Sequence, residues 1–440
     1  MPWTQISDTR WERPLDGLEA YFVMIANMSA STCDGREHYT LFSALKLEIN
    51  SSDVISDLRN AWKQLRLEQP QIATTIEDMK RIYTIPSEES LEKWLTDTFI
   101  VSHACSAEEM QQSIKPIKQT TLYYIPASSE IVLRGHHYTF DGTGMEMICH
   151  SFLQALAQPE KKITFGDEHA QLAPILEEVL RFSEESTSAK KEAEDLLGYY
   201  LSNQPAIGPV SELGTAPAGN CKHAELVFSP DTTALLVKIC HSKGISVTSA
   251  VHATYVRVIM EYADPESNQS RYTSMNQFNL RPYLPAPYNS SKYAASVYYA
   301  PHPHKVDLPT SYWDLVESFN KYYKTFVQDP EALETTGHFK RGMRDVASNP
   351  EFLKAPPPKD ALVSSLGVVE RFINREYNGI KVRDFKFGAD IVLGMSMLFF
   401  YTFQGKFRLV HSFNDAYENP EDIQMYLEKI QRILVQELRL

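Results

Sequence analysis

The residues with the clearest capacity for chemistry are Gly135, His136, His137, Tyr138, Thr139, Phe140, Asp141, Gly142, Thr143 and Gly144, a run reading GHHYTFDGTG. Ile131, Leu133, Gly135 and His137 alternate along the preceding apolar stretch, so they share one face of a strand. Thr143 and Glu146 are spaced as a capping box and predict a helix start just beyond. His137 is therefore expected where a strand ends and a helix begins. Imidazole titrates near neutral pH, and a strand end opens onto free space, so His137 suits a general base. Asp141, four residues on, can fold back across the loop and is expected to orient it. Gly142 and Gly144 allow other groups to come close.

The elements that must position this loop are legible around it. TLYYI and EIVLRGHHY form a strand pair joined at Pro126 to Ser129, and Met145, Ile148, Phe152 and Leu156 mark one face of the following helix. Upstream, YFVMIANM and YTLFSALKLEI read as apolar strands, with a helix from Asp53 to Leu67 whose N-cap comes from Ser51, Ser52 or Asp53. Asp167 to Asp195 reads as acidic surface helices. Pro, Gly, Ser and Ala cluster from Ser202 to Lys222, which predicts a linker between domains 1–201 and 223–440. Beyond it come helices Asp231 to Lys243 and Thr248 to Ala263, a strand Thr273 to Leu280 and a helix Tyr312 to Val327. Strands Ala361 to Leu366, Ile380 to Phe387, Ile391 to Phe403 and Phe407 to Phe413 precede a last helix, Pro420 to Leu438. Both halves are mixed α/β.

Composition narrows the function. With 43 basic and 56 acidic residues the formal charge is -13, which argues against nucleic acid and means that an anionic donor such as coenzyme A needs local Lys or Arg residues. Five scattered cysteines without CxxC spacing suggest neither disulfides nor a zinc site, and fit a reducing cytoplasm. His302 and His304 read as part of a Pro-rich loop, so no metal is expected. Neither GxGxxG nor GxxxxGKS occurs, so no nucleotide is expected, and no GxSxG elbow marks a hydrolase. The longest apolar run, Ile391 to Phe403, is shorter than the ~18 to 20 residues of a membrane span.

HHYTFDG matches the HHxxxDG signature of nonribosomal peptide synthetase condensation domains and contains the HxxxD of the BAHD and chloramphenicol acetyltransferase families. AWKQLRLEQPQIATTI resembles their early helix and strand, with Gln69 in place of the usual His. Asp384 to Gly388 reads DFKFG and is similar to the structural DFGWG motif of BAHD enzymes; Lys386 and Phe387 depart from it. Asn279-Leu280-Arg281-Pro282 and GKFRLVHSFNDAY resemble fungal condensation-like acyltransferases, such as trichothecene 15-O-acetyltransferases.

The resemblance implies two chloramphenicol-acetyltransferase-like domains forming a pseudo-dimer with a tunnel between them, 202–222 being the crossover. It implies an acyltransferase in which His137, flanked by His136 and Gly142 of the motif, deprotonates a hydroxyl of a small natural product. That hydroxyl would attack a thioester of coenzyme A or of a carrier protein, without an acyl-enzyme. Arg281 would pair with Asp141, Asn279 stands beside it as a further substrate-site candidate, and Asp384 and Gly388 would be structural. Ser364 and Ser365, at a strand end, could donate to the oxyanion, or simply bond to backbone. No cofactor is implied beyond acyl-CoA as co-substrate, and a monomer in secondary metabolism is expected. The alternative is amide formation, dehydration or cyclisation by the same histidine.

Overall fold

A computed structural model describes residues 2–112, 115–181, 186–204, 206–212, 217–263, 269–326, 330–349 and 362–440. The chain packs as two compact units that are not contiguous in sequence. The first comprises Met1–Phe182, Asn279–Tyr299 and Val369–Ala389, and the second Ser183–Phe278, Ala300–Val368 and Asp390–Leu440. The units do not divide at the expected 202–222: that stretch lies inside the second unit, which begins at Ser183, and two segments of the second half are built into the first unit. Pro205 and residues 213–216 of that linker lie outside the described residues, as do Val327 and Ala361, the ends of two expected elements.

The first unit is organised around a six-stranded sheet, in the order Glu376–Tyr377, Ile380–Ala389, Thr40–Glu48, Glu130–His136, Thr121–Ile125 and Phe99–Val101. Its central pairings are antiparallel, and Phe99–Val101 joins the edge in parallel. Helix Gly142–Ala157 follows the strand Glu130–His136 and buries Met145, Ile148, Phe152 and Leu156, the face read from spacing. Helix Val54–Glu68 starts where Asp53 accepts the Ser56 N–H at 3.1 Å, and buries Leu58, Ala61, Trp62 and Leu65. Trp62 stacks on Trp94 with ring centroids 5.4 Å apart. A second sheet of four short strands is ordered Thr4–Gln5, Arg10–Pro14, Lys80–Thr84, Thr75–Glu77.

The second unit has a four-stranded sheet ordered Leu362–Val368, Met397–Phe403, Lys406–Asn414, Cys221–Val227. Helices Pro230–Ser242, Val247–Tyr262, Tyr312–Phe326 and Pro420–Leu438 contribute to its core, where Val251, Tyr255, Phe319, Leu409 and Leu427 are fully buried. His252, read as a core residue, is one: both ring nitrogens meet tyrosine hydroxyls, of Tyr323 at 2.9 Å and Tyr272 at 2.7 Å. Among the described residues no helix is long and apolar enough to cross a membrane.

Four local expectations are corrected. YFVMIANM is not a strand but the middle of helix Gly17–Thr32. That helix buries Leu18, Ala20, Phe22, Val23, Ile25 and Ala26, so apolar residues on nearly every side hide its 3.6-residue period. The overlooked signal is the Asp16/Glu19 capping box, in which Asp16 accepts the Leu18 and Glu19 N–H groups at 2.9 and 2.7 Å. Ile391 to Phe403 becomes a strand only at Met397, after Gly394 and Met395 take left-handed φ values of 83° and 58°. His302 and His304 lie on a strand, Tyr299–Asp307, which tolerates Pro301 and Pro303 because a two-stranded ribbon has only edges. Ser364 and Ser365 sit in the middle of Leu362–Val368 rather than at its end, opposite Phe399 and Phe400.

The helix Gly17–Thr32 supplies a test. Asp16→Ala removes both N-cap hydrogen bonds and should lower stability by ~1 kcal/mol in a chemical denaturation series. An unchanged midpoint would show that the cap contributes nothing.

Candidate functional site

The loop between strand Glu130–His136 and helix Gly142–Ala157 is held from below by Asp141. Asp141 is the N-cap of that helix and accepts the Gly144 N–H at 2.7 Å. This replaces the capping box expected from Thr143 and Glu146. The same carboxylate accepts two hydrogen bonds from Arg281 Nη1, at 2.8 and 2.7 Å, and one from the Tyr298 N–H at 2.7 Å. Both Asp141 and Arg281 are buried, at 4% and 2% exposure, so the pair is a fixed internal structure and not a surface contact.

Arg281 is itself anchored. Its Nη2 donates to the Ser296 hydroxyl at 3.0 Å and carbonyl at 3.2 Å, and its backbone N–H donates to Asn279 Oδ1 at 3.1 Å. Asn279 therefore shapes the Arg281 turn. Gly144 is required for the docking: a Cβ there would stand 2.5 Å from the Ala294 carbonyl oxygen. Gln69, where the resembled families carry His, reaches the same segment, donating to the Ser291 carbonyl at 2.7 Å.

A second buried charge cluster, unread in the sequence, holds the other side of the loop. Arg81 donates to the Tyr138 carbonyl, to Thr74 Oγ1 at 2.9 Å and to Thr139 Oγ1 at 3.4 Å. It also meets Glu19, which Arg13 grips with two bonds of 2.7 and 2.8 Å. Burial alone would raise the Glu19 carboxyl, but Arg13 and Arg81 hold it down at about 2. The sequence signal was weak: three charged residues dispersed over separate elements, with no spacing to link them.

The two histidines part company. His136 is buried, with Nε2 3.0 Å from Glu37 and 3.2 Å from the Ile117 carbonyl, and its ring stacks on Tyr138. It is a structural strut. His137 lies in an aromatic surround: parallel to Phe22 at 4.0 Å, 5.9 Å from Tyr299, and edge-on to Tyr39 at 6.3 Å. Its Nδ1 is sealed from solvent and has no hydrogen-bond partner, although the residue as a whole is only half-buried. Burial lowers the His137 pKa below the ordinary 6.5, against the opposing pull of its own backbone, Asp141 and the Phe140 backbone. The imidazole is thus neutral at neutral pH and able to take a proton. His38, close by, is pushed down to about 3 by burial and by His137.

The remaining residues fall elsewhere. Asp384 and Gly388 are strand residues facing Lys46 and Phe42 in the six-stranded sheet, consistent with a structural part. Gly142 is the first residue of its helix. Ser364 and Ser365 belong to the second unit, where Ser365 Oγ lies 3.1 Å from Thr248 Oγ1. Among the described residues no group of three or more His, Cys, Asp or Glu could hold a metal. Glu146 is fully buried with neither carboxyl oxygen hydrogen-bonded, and burial, reinforced by the nearby Asp141, raises its pKa well above 4.5.

This architecture is a condensation-domain-like fold. A trichothecene 15-O-acetyltransferase from Fusarium sporotrichioides superposes with a TM-score of 0.82 over 98% of this chain and 96% of that one, at 17% identity. Among curated sequences, the acetyltransferase pigO of Monascus ruber is 28% identical, covering 100% of this chain and 98% of its own. The O-acetyltransferase pigM of the same organism is 29% identical, covering 100% of this chain and 87% of its own. No protein-family model matches the sequence.

The state of Glu146 has a measurable consequence. A carboxyl whose folded pKa is raised contributes its full stability below 4.5 and loses it as pH rises towards the folded value, by up to about 1.4 kcal/mol per pH unit. Stability should therefore fall from pH 5 upwards, and Glu146→Met should flatten the decline. A smaller slope should persist from Glu418, which burial raises to about 7. A Glu146→Met protein with the wild-type slope would refute the assignment.

Proposed function

We propose that this protein is an acyltransferase that moves an acyl group from a thioester to a hydroxyl of a small natural product, with His137 as general base. The observation that carries the reading is an imidazole fixed in place just past a strand end. Aromatic rings set its plane, Nδ1 is sealed, and the loop is held on one side by Asp141 and Arg281 and on the other by Arg81. Nε2 is then the nitrogen that works.

In this reading Nε2 takes the hydroxyl proton as the oxygen attacks the thioester carbonyl carbon. The tetrahedral intermediate collapses with cleavage of the C–S bond, and the imidazolium returns its proton to the departing thiolate. Asp141 and Arg281 act as positioning residues, because they are paired with each other and bonded to backbone. The same base would serve amide formation or cyclisation of a bound intermediate. Acyl transfer ranks first because pigO, pigM and the structural relative are all named for acetyl transfer. Coenzyme A is the proposed donor and a carrier protein the alternative. The protein is proposed to work as a cytoplasmic monomer in secondary metabolism.

The test is thioester turnover by wild type and His137→Ala, given acetyl-, hexanoyl- and longer acyl-CoA with a panel of hydroxylated acceptors. Thiol release and acyl product are followed together. His137→Ala should lose roughly 10²- to 10⁴-fold in rate. In the wild type the acid limb of kcat/KM should lie below pH 6.5, since burial favours the neutral ring. Acyl product formed equally well by the variant would remove His137 from the chemistry. No donor consumed by a folded wild type would favour a carrier-protein donor or cyclisation.

A further inference from the structure

The second unit contains a cavity of about 670 Å³ whose lining includes none of the residues around His137. Its walls come from helices Thr187–Ser202, Tyr312–Phe326 and Pro330–Ala347 and from strand Tyr299–Asp307. Much of the wall is one aromatic surface. His304 stacks on Tyr322 at 4.2 Å, the His302 ring lies 4.9 Å from Phe326, and Phe326 in turn lies 4.0 Å from Phe278. Such a surface offers faces and edges to a flat conjugated ring.

The polar groups set into that wall are uncharged. Tyr322 OH donates to the His302 carbonyl at 2.8 Å, and Ser318 Oγ lies 3.3 Å from His304 Nε2. Burial holds His302 and His304 neutral, each at about 4. They can exchange hydrogen bonds with a ligand but cannot balance a charge. The formal charges of the lining, Glu192, Asp195 and Lys321, are all on exposed residues, and two of the three are negative. Phosphates and carboxylates are therefore disfavoured here. The volume is within the range of cavities that enclose drug-sized molecules, roughly 300 to 1,000 Å³.

We infer that this cavity is a binding site for an uncharged, flat, conjugated small molecule bearing hydroxyl or carbonyl groups, stacked on Tyr322 and Phe326 and hydrogen-bonded by His302, His304 and Ser318. The site stands on its own geometry and does not need His137 or acyl transfer. If it holds the acceptor, the acceptor is of this chemical class.

Titration calorimetry of the full chain with the trihydroxyflavone apigenin tests this, with coenzyme A and benzoate as charged competitors. Apigenin should bind the wild type in the micromolar range. Tyr322→Leu, which removes the stacking ring, and Thr325→Trp, which fills the rim, should each weaken binding roughly tenfold or more. Tyr322→Phe keeps the ring and should stay within a few-fold, and His137→Ala should bind as the wild type does. Thermal melts identify any variant that fails to fold, and the comparison then rests on the other. The inference fails if apigenin does not bind, if both folded cavity variants bind normally, if His137→Ala alone loses binding, or if coenzyme A displaces the ligand.

Discussion

The buried pair of Asp141 and Arg281 is the constraint on which the His137 loop depends. The Asp141 carboxylate accepts four hydrogen bonds from three partners: two from one guanidinium, one from the Gly144 N–H in the first turn of helix Gly142–Ala157, and one from the Tyr298 N–H. One carboxylate thereby fixes the helix start, the end of the loop and a chain segment 140 residues further along the sequence. Removing two charges from water is costly, and a buried pair is often no more stabilising than a well-packed apolar one. Breaking it is different, because the remaining charge is stranded, at a cost of ~3 to 5 kcal/mol. The pair is thus better understood as fixing one loop geometry than as a source of net stability.

Around it the polar groups divide into those that are paired and those that are not. Arg13 and Arg81 both pair with Glu19, and Arg81 fastens the Tyr138 carbonyl, although the Nε atoms of the two arginines are buried without a partner. His136 is tied to Glu37. His137, by contrast, is bounded by rings and lacks a partner at Nδ1, so its basicity is set by burial and not by a hydrogen-bonded carboxylate. Asp141 is engaged elsewhere and does not orient this imidazole as the acid of a catalytic triad would. Backbone and aromatic packing do that instead, with Phe22 coming from the helix that Asp16 and Glu19 begin.

Much of this was legible in the residues. The position of His137 just past a strand end followed from motif spacing, because the loop is short and its geometry is local, and the Asp141–Arg281 pair followed from the resemblance. The helix carrying Phe22 was misread as strand, since its apolar residues surround the axis. Glu146 was read as a capping residue because its spacing from Thr143 allowed it; only the packing shows that Asp141 caps the helix and that Glu146 turns into the core. Arg81 could not have been found by pattern. Its partners come from three other elements, and isolated arginines in a sequence are ordinarily solvated. The non-contiguous units were likewise hidden, because segments 279–299 and 369–389 carry no composition shift that would assign them to the first unit.

The most direct test of the central claim is a double-mutant cycle on thioester turnover, using Asp141→Asn, Arg281→Met and the two combined. If the pair acts as one unit that positions His137, each single variant loses most of the rate and the double variant is little worse than either, leaving a coupling of about 1 to 3 kcal/mol. Losses that simply add would contradict the account, because the two residues would then support the loop independently.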